Sequence, residues 1–153
     1  MRVRRLAEAA LVAALYAILT WALAPLSYGP IQFRLAEVLK GILPFRKGLV
    51  PAFVVGVLLS NLLSPYGGAW ELIFMPLANL VGALACVWLS RRSAYLGAAV
   101  YAVIVAAAVA LLLHETAHLP WLVAFPPLLL SEGVLIVGGV PLMGLVQRRL
   151  APE

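Results

Sequence analysis

Residues Ala94–Leu113 read AYLGAAVYAVIVAAAVALLL, twenty residues with no charge and no proline. At 1.5 Å per residue a helix of that length covers about 30 Å, the thickness of a bilayer's hydrocarbon core. A helix satisfies its own backbone hydrogen bonds, which lipid cannot do for it. The rest of the chain has the same character. Its 153 residues are 65% hydrophobic and 11% charged, with a mean hydropathy of +1.07. A soluble domain carries about 25% charged residues. The sequence therefore predicts an all-α integral membrane protein, folded as one transmembrane domain over residues 1–153.

Working outward from that run, the breakers divide the chain into about six predicted helices. They cover about Leu6–Ala24, Phe33–Phe45, Leu49–Leu63, Trp70–Ser90, Ala94–Leu113 and Trp121–Gln147. Pro25, Gly29 and Pro30 open the first loop, and Ser64-Pro65-Tyr66-Gly67-Gly68 forms another. The second and third helices are too short for an untilted crossing. Pro126-Pro127 is expected to delay the regular start of the last one. The first run is longer than a signal peptide's apolar segment and is read as a retained helix.

Charge placement gives the orientation. The net charge is +5, but the cations come in short pairs between apolar runs, not along a groove for nucleic acid. With six crossings both termini share a side with Arg46, Lys47, Arg91, Arg92, Arg148 and Arg149. That side holds nine of the eleven basic residues, so it is predicted to be the cytoplasm of a cell (plasma) membrane protein.

Polar residues inside apolar helices are costly and mark pairing, a cavity or a ligand. Arg34 and Glu37 lie three apart, on one helical face and within pairing distance. Lys40 continues that face, and its long stem is expected to snorkel to the inner interface. Glu132 falls near mid-membrane with no partner on its own helix. Asn79 lies at similar depth, and Asn61 near the outer end of the third helix. Glu71 opens the fourth helix, where it also favours the helix dipole. Together these suggest a polar pocket in the outer half, rimmed by Tyr28, Tyr66, Trp70, Phe74 and Trp121. The same aromatics also suit an ordinary interfacial belt.

Other patterns carry less. His114-Glu115-Thr116-Ala117-His118 matches the H-E-x-x-H of zinc proteases. The match lies where a helix is about to break at Pro120, and the chain has no Asp and no third His. A metalloprotease is the weakest reading, and no metal or cofactor is expected. No G-x-x-x-x-G-K-[ST] phosphate loop is present, so uphill movement of a solute would draw its energy from a partner or an ion gradient. Cys86 reads as a small buried hydrophobe. Ala9, Ala13 and Ala17, with Ala10 and Ala14 beside them, form a small-residue stripe that admits a close helix partner, in this bundle or another.

Three stretches resemble the QueT family. They are Ala10-Leu11-Val12-Ala13-Ala14-Leu15-Tyr16-Ala17, Ser27-Tyr28-Gly29-Pro30-Ile31-Gln32-Phe33-Arg34-Leu35-Ala36-Glu37 and Ser60-Asn61-Leu62-Leu63-Ser64. Ser131-Glu132-Gly133 is similar to the family's Gly-Glu step in the last helix, and Glu71 falls where the family often has Asp. The resemblance implies a substrate-binding (S) component of an energy-coupling factor (ECF) importer, not an enzyme. It implies a six-helix fold with an outward-facing site for a deazaguanine base, a queuosine precursor. The partners implied are a transmembrane coupling protein, met by the small face of the first helix, and ABC-type ATPases. Another vitamin or small solute is the alternative cargo. A guanine-like edge presents two adjacent N–H donors to a carboxylate, a carbonyl to an amide or Arg, and a ring to aromatics. Gln32, Arg34, Glu37, Asn61, Glu71, Asn79, Trp121 and Glu132 are the candidate substrate-binding residues. The HETAH segment departs from the family pattern.

Overall fold

The computed structural model describes residues 2–29, 32–65 and 68–150, with the side chains of Arg2 and Leu150 outside that description. Pro30, Ile31, Tyr66 and Gly67 also lie outside it, so the expectation that Tyr66 rims a pocket falls beyond the described residues.

Among the described residues every regular element is helical. α1 runs Arg2–Ala22 and is followed by a single turn, α2, at Ala24–Ser27. A 3₁₀ helix covers Leu35–Ile42, and a 3₁₀ turn at Lys47–Leu49 leads into α3, Val50–Asn61. α4, Met75–Leu89, is preceded by a π-helical turn at Trp70–Phe74. α5 spans Ala94–Ala117. α6, Trp121–Glu132, continues through a second π turn at Gly133–Val137 into α7, Gly138–Leu150.

Four of these helices are long and apolar enough to cross a membrane: Val3–Ala22, Trp70–Leu89, Ala94–Ala117 and Trp121–Arg149. Lys47–Asn61 is a shorter apolar helix. The exposed surface is oily, with Leu6, Leu11, Leu122 and Leu130 each at least 70% exposed. The interior instead holds Arg34, Glu37, Lys40, Glu71 and Glu132. Apolar outside with charge inside is stable only where the surrounding solvent is lipid.

Several boundaries differ from the sequence expectation. The second helix is eight residues of 3₁₀ structure, Leu35–Ile42, in place of Phe33–Phe45. At about 2.0 Å per residue it rises about 16 Å, half a bilayer. α5 continues one turn beyond Leu113 and stops at His118, which takes the left-handed conformation (φ 55°) just before Pro120. The last helix starts at Trp121 without the expected delay.

Both π turns have a cause in the sequence. Proline lacks an N–H and its ring collides with the carbonyl four residues earlier. Pro76 stands four residues after Leu72, and Pro141 four after Val137; each of those two residues lies in a π turn. Widening the helix there relieves the collision. It also places a wide turn beside each of two buried acids, Glu71 and Glu132.

The bundle is built by α1 packing on α3, α3 on α4, α4 on α5 and α5 on α6. The 3₁₀ helix packs against α7 and its preceding π turn. Glycine allows this approach. A Cβ on Gly139 would strike the Val38 backbone, and one on Gly41 would strike Gly139. Backbone on backbone, this contact sets the 3₁₀ helix against the chain that carries Glu132.

The alanine stripe is divided by the fold. Ala13 and Ala17 are buried within the bundle, against the expectation that they face a partner, because α1 turns this side towards α3. Ala10 and Ala14 are exposed, and Ala9 is half-buried.

Candidate functional site

Two polar layers lie inside the bundle. The deeper one centres on Lys40, which is completely buried and does not snorkel. Its position in the middle of the 3₁₀ helix directs it inward. Its Nζ lies 2.5 Å from Glu37 Oε2 and donates to Asn79 Oδ1 at 2.6 Å. The ammonium also sits over the rings of Tyr101 and Tyr16, at 5.0 and 5.4 Å from their centroids, a favourable place for a desolvated cation. Tyr101 Oη donates to Asn79 Oδ1 at 3.1 Å, and Asn79 Nδ2 donates to the Met75 carbonyl at 3.0 Å. Tyr16 Oη donates to Glu37 Oε1. Gly82 leaves room for the Tyr101 ring, which a Cβ there would strike. Glu132 joins this layer from the last helix, its buried carboxyl within electrostatic range of Glu37, Lys40 and Arg34.

The second layer centres on Arg34, also buried. Its guanidinium donates to the Ser27 carbonyl (3.2 Å), Asn61 Oδ1 (3.3 Å) and Gln32 Oε1 (3.3 Å), and lies over the Tyr28 ring at 5.2 Å. Asn61 Nδ2 donates to the Glu71 carbonyl at 2.9 Å, and Tyr28 Oη to the Ser60 carbonyl at 2.5 Å. Gln32 is one of two described non-glycine residues with positive φ, at 47°. That bend is uncommon outside Asn, Asp and Gly, and it sets the Gln32 amide against Arg34.

The expected Arg34–Glu37 ion pair is replaced. A 3₁₀ helix begins at Leu35, so Arg34 lies outside it and reaches towards the loop and α3. Glu37 takes Lys40 instead, three residues ahead. Of the candidates, Gln32, Arg34 and Asn61 come together in one layer, with the Glu71 backbone bonded to them. Glu37, Asn79 and Glu132 come together in the other. Trp121 is not joined to either by its described contacts. It donates to the Ala107 carbonyl at 3.3 Å and stacks on Phe125 at 4.5 Å. Eleven residues before Glu132, it stands about 16 Å higher along the helix. Sequence reasoning missed Lys40, Tyr16 and Tyr101 as members of the network. A buried lysine between two acids and amides is readable only once the helices are assembled.

Hydrogen-bonding capacity is left over. Buried Gln32 Nε2, Ser27 Oγ, Ser131 Oγ and Glu132 Oε2 have no partner among the described residues. The Glu71 carboxyl is also buried, near the Ser64 hydroxyl. No cation among the described residues lies within ion-pair distance of it. Unpartnered buried polar atoms are rare and costly, so each calls for an occupant such as water or a ligand.

The HETAH segment forms no comparable site. His114 lies on α5 with its Nδ1 2.9 Å from the Leu119 carbonyl, whereas His118 has left the helix. The i, i+4 geometry of a zinc protease is lost. Among the described residues no group of three or more His, Cys, Asp or Glu is placed to hold a metal.

A lipid-facing helical bundle that keeps its charges in a buried, incompletely satisfied polar interior defines a multi-pass membrane protein with unused polar capacity at its centre. The family profile described as "QueT transporter" matches residues 6–148, and the chain belongs to that family. It is also similar to a curated protein of Lactococcus lactis subsp. cremoris (strain MG1363) named "Queuosine precursor transporter QueT". The two are 42% identical over 80 residues, covering 47% of this chain and 47% of that protein. The match thus spans about half the length of the relative. No solved structure matches the chain at a significant level.

Proposed function

We propose that the protein is the substrate-binding component of an ECF-type importer and that it captures a queuosine-precursor deazaguanine base. In this reading the 3₁₀ segment and α3 supply two short crossings beside the four long ones. Six crossings place both termini and the basic loops on the cytoplasmic side of the plasma membrane. The base enters from the opposite side. Glu132 accepts two adjacent N–H donors of the guanine-like edge, assisted by Glu37. Arg34 and Asn61 serve its carbonyl, Gln32 and Glu71 complete the polar contacts, and Asn79 holds the deeper layer. Trp121 contributes an aromatic surface near the mouth. A membrane coupling protein, met through the exposed Ala10 and Ala14 with Ala9, and ABC-type ATPases provide the energy.

The observation that carries this reading is the unpartnered buried capacity at Glu132 Oε2, Gln32 Nε2 and Ser27 Oγ. A structural ion-pair network would use up its donors and acceptors. The similarity to the Lactococcus protein by name narrows the cargo. The test is mass spectrometry of small molecules that co-purify with the protein, followed by thermal-shift titration. Cyano- and aminomethyl-deazaguanines are expected to raise the unfolding temperature, and unrelated vitamins to leave it unchanged. A response to a vitamin and none to the deazaguanines would keep the architecture and overturn the substrate.

A further inference from the structure

At the basic end of the bundle a groove of about 520 Å³ lies between α1, the 3₁₀ turn and α7, lined by Arg5, Glu8, Phe45, Arg46, Lys47, Gly48, Leu49 and Gln147. None of its lining residues belongs to either polar layer. Glu8 lies three residues past Arg5, near the start of α1, whereas Ser27 follows that helix's far end. Its internal pairing is settled: Arg46 binds Glu8 and donates to Gln147 Oε1 at 3.1 Å. Arg5 and Lys47 are exposed, and no described acid pairs with them. Three cations against one carboxylate leave the groove with a surplus of about two positive charges. Apolar surface adjoins it, with Val3 81%, Leu6 73% and Phe45 41% exposed.

From this geometry we infer that the groove is a binding site for the headgroup of an anionic phospholipid. The phosphodiester lies against Arg5 and Lys47, and the acyl chains run along the exposed side of α1 past Leu6. A phosphate with attached hydrocarbon matches both halves of the surface, where an acidic protein segment would match only the charged half. A zwitterionic headgroup brings its own cation, which the surplus charge repels. Each cation near an anionic surface contributes about fivefold to affinity, so two contribute roughly thirtyfold.

The test is native mass spectrometry of the full chain in detergent, titrated with phosphatidylglycerol or phosphatidylcholine. Phosphatidylglycerol adducts are expected to persist at roughly thirtyfold lower lipid concentration. The double variant Arg5→Gln/Lys47→Gln is expected to remove that preference while unfolding at the wild-type temperature. Glycerol 3-phosphate at matched concentration is expected not to displace the lipid. Equal retention of the two lipids, or a preference unchanged in the double variant, overturns the inference. Displacement by glycerol 3-phosphate as effective as by lipid would make this a site for soluble phosphates instead. Loss of partner-protein capture in the variant with the lipid preference intact would make it a protein dock.

Discussion

Replacing Lys40 by methionine tests whether the deeper layer is held by charge. Methionine fills most of the stem's volume and removes only the ammonium. The change deletes the contact to Glu37 at 2.5 Å, the hydrogen bond to Asn79 at 2.6 Å and two ring contacts. Breaking a buried ion pair from one side typically costs about 3–5 kcal/mol. Asn79 keeps Tyr101 as a donor, so little is added there. The expected loss is therefore about 3–4 kcal/mol, the lower part of the ion-pair range. For a protein of this size that lowers Tm by about 6–16 °C. The assay is thermal unfolding in detergent, followed by circular dichroism. The double variant Glu37→Gln/Lys40→Met removes both charges, and Tyr16 can still donate to the amide oxygen. It is expected to recover at least half of the single variant's loss, since neutral replacement of a buried pair is often close to cost-free. A Tm drop of less than about 3 °C for Lys40→Met, under 1 kcal/mol on the same scale, would refute the reasoning. So would a double variant whose loss equals the sum of the two singles.

Other outcomes follow from the same geometry. Glu132→Gln keeps a hydrogen-bonding group beside Glu37 but loses a charged acceptor; deazaguanine affinity should fall about 10- to 100-fold in calorimetry, with Tm changed little. Gly139→Ala drives a methyl into the Val38 backbone and is expected to cost about 1–3 kcal/mol or more, read as a lower Tm and weaker ligand binding together. Tyr101→Phe removes one of two donors to Asn79 Oδ1 and should cost only about 0.5–1.5 kcal/mol, measured as a small Tm shift. Ala14→Leu, on the exposed side of α1, should reduce co-purification with the coupling protein and leave ligand affinity unchanged, whereas buried Ala13→Leu should lower Tm.

Membrane character was legible because it is a bulk property: a twenty-residue uncharged run has few other uses. The acids and amides that gather inside were legible for the opposite reason, as exceptions to that bulk. Glu37, Asn79 and Glu132 lie on three separate segments, yet each stood out as too polar for its surroundings. What escaped was local geometry. The spacing of Arg34 and Glu37 predicts a pair on a continuous helix; the chain becomes helical only at Leu35, so Arg34 points elsewhere. A lysine stem can reach the interface, and the sequence alone places Lys40 there. Whether it does depends on which elements cover it, here α4, α5 and the last helix. The π turns do have a sequence cause in Pro76 and Pro141, but a proline inside a helix permits a kink, a break or a wide turn. Packing chooses among them.

The two layers differ in how completely they are satisfied, and that difference has direction. Around Lys40 the accounting nearly closes: Glu37, Asn79, Tyr16 and Tyr101 supply or consume most donors and acceptors, and Glu132 Oε2 is left over at the edge where the last helix joins. Around Arg34 more remains, since Gln32 Nε2 and Ser27 Oγ are both left over. Groups already bonded around Lys40 gain little from a solute and resist being opened, since each exchange would break a bond already made in a low dielectric. An unsaturated layer gains from any molecule that supplies the missing partners. With the first beneath the second, the proposed site has a floor and a receptive surface built from the same few helices. For the proposed cargo the spare hydrogen-bonding capacity then lies towards α2, the Gln32 loop and the α3 terminus. The polarity of the proposed site thus follows from hydrogen-bond accounting inside the bundle, independently of the arginines from which the sequence predicts an orientation in the membrane.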